Sequence, residues 1–151
     1  MSIILYLSKA ATMSYEEKGT WVALMVGVTV YLGYLAVVLG RLAGTPVAAV
    51  TYVPTLLLAI GVSIVASIVA RIAVEIARPS DSHSGDVRDR EIHWLGDRVG
   101  QRLLMTAALA ALGLALFEAE HFWIANVLYL GFVASAVVGS VVKLRAYRRG
   151  I

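Results

Sequence analysis

Apolar and polar positions in this chain fall into long blocks. Between Lys18 and Arg41 stand 22 residues without a charge, and a second uncharged stretch occupies 42–70. A third covers the 15 residues 103–117 and a fourth the 21 residues 122–142. A helix needs about 20 apolar residues to cross a hydrocarbon core of about 30 Å. The pattern therefore predicts four membrane spans, over about 20–41, 51–72, 100–119 and 122–143, in one integral membrane domain covering 1–151. The fold class is all-α: a four-transmembrane-helix bundle with a cytoplasmic amphipathic helical extension leading into helix three.

Punctuation between the blocks supports these limits. Gly44-Thr45-Pro46 supplies turn chemistry, Pro54 sits in a first helical turn where its missing N–H does no harm, and Pro79 ends the second element. Ile92, Leu95, Val99 and Leu103 are spaced 3, 4 and 4, so the charged block before helix three is itself helical and amphipathic. Gly96 and Gly100 are its expected bend points. The third uncharged run is short, so Arg102 is expected to snorkel and Glu118 to approach the far interface. Ala59, Ser63 and Ser67 share a face with Arg71 and Glu75, which are spaced to pair. Gly131, Ser135 and Gly139 form a second ladder of small residues, and both ladders are expected to pack closely on other helices.

Ile3 to Leu7 is apolar but has no basic residue ahead of it, so it does not read as a secretory signal. Ser14 and Glu17 resemble a capping box opening the first helix, which makes Met13 the expected start and 1–12 an extension.

Composition sharpens the class. The chain is 60% hydrophobic with a mean hydropathy of +0.81, and its charged residues almost never enter the apolar runs. With no cysteine, disulfides and thiolate metal sites are excluded. The net charge of +3 comes from cations at the ends of apolar runs, without a basic stripe interleaved with aromatics, so no nucleic-acid partner is expected. Their distribution sets a topology instead. Lys9 and Lys18 precede helix one, five arginines lie within 78–102, and four Lys or Arg follow helix four. The first loop holds only Arg41 and the third holds none. Cations collect on the cytoplasmic side, so both termini and the segment 78–101 are expected there, in an inner or plasma membrane.

The candidate chemistry is thin. Asp89, His93 and Asp97 stand one turn apart on one helical face, with His83 and Asp86 nearby, and carboxylate with imidazole can hold a divalent metal. The same block also reads as a solvated face laced with ion pairs at Asp86–Arg90, Arg88–Glu91 and Asp89–His93. Glu118 and His121 have the spacing used by di-iron bundles, but no second motif accompanies them. All three histidines lie outside the apolar runs, so no haem is expected, and no carboxylate stands deep in a span to mark a proton-coupled transport site. Tyr31, Tyr34, Thr51, Ser63, Asn126 and Tyr129 remain as polar groups at depth, suited to interhelical hydrogen bonds or a small pocket. Nucleophile triads, phosphate-cradling loops and zinc-protease motifs are absent. No enzyme activity and no cofactor are expected.

Residues 86–92 read D-V-R-D-R-E-I. The chain here resembles a family of uncharacterised small four-helix membrane proteins with a D-E-R-D-x-x-I-like cytoplasmic juxtamembrane motif, Val87 standing where that family has Glu. The resemblance implies a four-helix membrane protein whose motif works on the cytoplasmic side, with a cytoplasmic partner. The expected function is that of a membrane-anchored interaction or regulatory protein. It would contact a partner or a lipid headgroup through Arg88, Arg90, Trp94 and Arg98. The alternative is a small oligomeric transporter or channel, which the packing ladders would assemble as a homo-oligomer.

Overall fold

The computed structural model describes residues 15–77 and 87–149. Four long helices account for nearly all of them: α1 (Tyr15–Leu42), α2 (Val53–Ala77), α3 (Val87–Leu116) and α4 (His121–Arg149). A short 3-10 turn occupies Val47–Ala49, and no strand occurs among the described residues. In hydrocarbon every backbone N–H and C=O must find a partner within its own segment, which selects helices for apolar runs of this length. All four are long and apolar enough to cross a membrane. The shortest, α2 with 25 residues, is about 37 Å long at about 1.5 Å per residue. The expected cap at Ser14, the linker around His83 and the partner Asp86 lie outside the described residues.

The main contacts run α2 to α1, α1 to α4 and α4 to α3, so the helices follow that order across the bundle. One end of the bundle carries the two short connections and a conventional core. Tyr34, Val38, Val50, Ala59, Phe122 and Tyr129 are buried there, with Tyr31, Leu35, Tyr52 and Leu56 packed around them. The rings meet edge to face: Tyr34 and Tyr129 at 5.1 Å between centroids, and Tyr52 and Phe122 at 5.2 Å. Such pairs add about 0.5–1.5 kcal/mol each beyond their buried area.

Along the α3–α4 seam small residues replace that core. A methyl on Gly100 would stand 2.8 Å from the Ser135 carbonyl oxygen, and one on Gly139 would stand 3.1 Å from the carbonyl oxygen of Gly96. Gly131 meets Ala107 in the same way. The Gly131/Ser135/Gly139 ladder therefore packs on Gly96, Gly100 and Ala107 of α3. Gly96 and Gly100, expected as bend points, are contact points in a helix that runs on without a break to Leu116. The other ladder divides: Ala59 is buried in the core, whereas Ser63 and Ser67 line an open cleft between α2 and α4.

Both turns are fixed by hydrogen bonds. Arg41, at the end of α1, donates to the Thr51 carbonyl and, at 2.9 Å, to Thr55 Oγ1, tying α1 to the start of α2. After α3 the Ala119 N–H reaches the Leu114 carbonyl at 2.9 Å and the Glu118 N–H reaches that of Ala115 at 3.1 Å. This is a Schellman cap, and its left-handed position is filled by Glu118 at φ 53° instead of glycine.

Candidate functional site

The end of the bundle away from the short connections gathers the charge. It is formed by the start of α1, the end of α2, the first half of α3 and the end of α4. Lys18 of α1 pairs with Glu75 of α2 at 3.8 Å, and the Arg71 guanidinium lies against Gly19, 2.9 Å from where a Cβ on that residue would stand. Glu75, which the sequence spacing also sets one turn from Arg71, thus reaches across to α1 through Lys18. Arg148 near the end of α4 lies over Trp21 of α1, 5.8 Å from the ring centroid. These links set the tail of α4 beside the first turns of α1.

On α3 the amphipathic pattern resolves into two faces. Ile92, Gly96 and Gly100 are buried at i, i+4 and i+8, on the side turned to α4. Across the helix Arg90, Glu91, Trp94, Arg98 and Arg102 are exposed. Arg98 stacks on Trp94 at 4.0 Å, one turn apart, and the indole remains 59% exposed. Arg88 belongs to the first turn of α3, and its side chain lies outside the described set.

Asp89, His93 and Asp97 do not close on a metal. Among the described residues no three acidic or imidazole groups stand together in a way that would hold an ion. Asp97 reaches across to α4, where its Oδ1 accepts from Lys143 Nζ at 2.8 Å. Asp89 stays in the first turn of α3, where a carboxylate favours the positive end of the helix dipole. Glu118 lies in the turn after α3 and His121 begins α4, both exposed.

At the opposite end, four of the six polar groups expected at depth come together. Tyr34 donates to Asn126 Oδ1 at 2.7 Å, and Asn126 donates from Nδ2 to the Phe122 carbonyl at 2.8 Å. Tyr31 and Tyr129 pack against Tyr34. The group is a hydrogen-bonded part of the core. Thr51 offers its carbonyl to Arg41 at the first turn, and Ser63 faces the α2/α4 cleft. Sequence periodicity locates a face on one helix but is blind to contacts between helices. That is why Asp97–Lys143, Arg41–Thr55 and Trp21–Arg148 had no signal in the chain.

Compared with family models, with curated proteins and with solved structures, the chain matches none.

Proposed function

We propose that this multi-pass membrane protein works as a membrane-anchored interaction or regulatory protein of the inner or plasma membrane. Both termini and the charged half of α3 face the cytoplasm. There Arg90, Trp94 and Arg98 meet an acidic surface of a cytoplasmic protein. The observation carrying this reading is the exposed cationic face of α3, with a stacked Trp94 at its centre, on a helix that packs on α4 through its other side. An aromatic ring flanked by arginines is the usual make-up of a binding hot spot, and complementary charge speeds and selects encounter. The orientation is supported by charge. Lys18, Arg71, Lys143, Arg145, Arg148 and Arg149 stand at this end of the bundle, whereas Arg41 is the described Lys or Arg at the other. The likeness of residues 86–92 to a cytoplasmic juxtamembrane motif agrees in side.

The absence of native cysteine makes the topology directly testable with single-cysteine variants. In intact cells a membrane-impermeant maleimide should label Glu120→Cys and spare Arg149→Cys, and the reverse pattern would sink the orientation. A photo-crosslinker at Trp94 should then capture a cytoplasmic protein, and Arg90→Glu with Arg98→Glu should abolish the adduct. Capture unaffected by both reversals would refute the role of this face. Solute flux through reconstituted vesicles above the empty-vesicle leak would favour the small transporter or channel instead.

A further inference from the structure

The row of helices leaves one flank of α4 uncovered, and two concave surfaces lie along it. Toward α2 is an apolar cleft of about 630 Å³, walled by Ile60, Ile64 and Ile68 of α2 and Phe132 and Val133 of α4, with Ala23 and Gly27 of α1 also lining it. Toward α3 is a groove of about 480 Å³ lined by Asp97, Gln101, Ser135, Ser140 and Lys143. Ala136, exposed on α4, lines both, so the two surfaces adjoin at that residue and together make a trough bent across α4. The polar part lies toward the charged end of the bundle. The apolar part extends the other way, as far as Tyr129.

We propose that this trough is a binding site for one bilayer glycerophospholipid with a primary-ammonium headgroup, lying with its headgroup in the polar groove and an acyl chain in the apolar cleft. The gradient of polarity along the trough matches an amphiphile and specifies its direction. The ion pair specifies the headgroup. Asp97 and Lys143 are bonded at 2.8 Å, with the Asp97 side chain 70% exposed and that of Lys143 15%. The open carboxylate accepts from a lipid ammonium, while the ammonium of Lys143 and the hydroxyl of Ser140 donate to its phosphate. A phosphatidylglycerol headgroup would offer the Asp97 carboxylate only neutral hydroxyl donors, which bond it about half as strongly as an ammonium, and would leave the lipid's negative charge uncompensated beside it. A trimethylated headgroup carries the charge but no N–H, so the bond to Asp97 would be lost.

Native mass spectrometry of the purified protein, given equal amounts of phosphatidylethanolamine and phosphatidylglycerol with identical chains, tests the site. One phosphatidylethanolamine adduct is expected, preferred by about tenfold, a ratio one charge-assisted hydrogen bond can supply. Asp97→Asn should bring the two lipids level. Ala136 is exposed within the trough, so Ala136→Trp should fill the space and remove the adduct while helicity by circular dichroism stays unchanged. Equal uptake of both lipids by the unmodified protein would overturn the proposal, with or without a folded variant. An adduct that survives Ala136→Trp would overturn it as well. If Ala136→Trp instead dissolved a dimer seen by light scattering, a second copy, and not lipid, would be the occupant.

Discussion

Gly131→Ala is the sharpest probe of how this bundle is held together. The new methyl would fall inside the van der Waals envelope of the Ala107 methyl on α3. Its next neighbours, Ala107 Cα at 3.7 Å and Leu104 Cδ1 at 3.9 Å, are ordinary contacts. The conflict is therefore with a single atom on a rigid backbone, and it can be relieved only by moving α3 away from α4. Overfilling a packed site costs about 1–3 kcal/mol. Alanine is the better helix former by about 1 kcal/mol, which offsets part of that. The balance is a net loss of about 0–2 kcal/mol, and its upper half is expected here, since opening the seam by even 0.5–1 Å forfeits roughly a quarter to a half of each dispersion contact along it. Ala107→Gly removes the offending atom, so the double variant should recover most of the loss in a double-mutant cycle. Gly33→Ala is the control, because nothing lies within 4 Å of its position. Unfolding free energies measured across a dodecyl-sulfate titration in mixed micelles would read all four proteins. The reasoning fails if Gly131→Ala is as harmless as Gly33→Ala, or if Ala107→Gly gives no rescue.

Two further outcomes follow from contacts described above. Tyr34→Phe keeps the ring and removes the hydroxyl that donates to Asn126, so it should lower unfolding free energy by about 0.5–1 kcal/mol, the usual worth of one interhelical bond in lipid; the same titration showing no loss would mean that the bond does not form in the bilayer. Glu118→Gly relieves a left-handed residue that costs an L side chain about 1–2 kcal/mol, partly offset by the freedom glycine adds to the unfolded chain. Its thermal unfolding midpoint should rise, and a fall would show that the Glu118 side chain contributes more than its backbone costs.

Much of the architecture was legible because its signals are local. Uncharged runs and turn residues marked all four spans, and the spacing of Gly131, Ser135 and Gly139 marked a packing face. The partner of that face was not legible, because two glycines within an amphipathic pattern can mark a bend or a close contact with equal ease. Gly96 and Gly100 prove to be contacts. The Ala59/Ser63/Ser67 ladder divided for a related reason: a face is a property of one helix, while burial depends on what stands opposite each residue. At the charged end, periodicity put Ile92 apart from Trp94 and Arg98, but of the face Ile92/Leu95/Val99/Leu103 that it marked, Leu95 and Leu103 are exposed and Gly96 and Gly100 are the buried positions beside Ile92. It also put Asp97 in one group with His93, although Lys143 of another helix claims Asp97.

The glycine contacts also fix how deep α3 sits beside α4. Gly100 stands against Ser135 and Ala107 against Gly131, so Arg102 lies level with residues between 131 and 135 of α4. That is the middle of the uncharged run 122–142, and Arg102 is exposed there. Toward lipid, α3 therefore presents an apolar wall of 15 residues, about 22 Å, whereas the 22 uncharged residues of α1 present about 33 Å. A hydrocarbon core of about 30 Å fits α1 and overshoots α3. The belt around this protein is lopsided, and each ångström of misfit costs a fraction of a kcal/mol. Arg102 must snorkel, or the bilayer beside α3 must thin and admit water to its guanidinium, which would otherwise cost about 2.5–3.5 kcal/mol at mid-depth. Host-membrane thickness thus acts on one helix more than on the other three, and that helix carries the charged face.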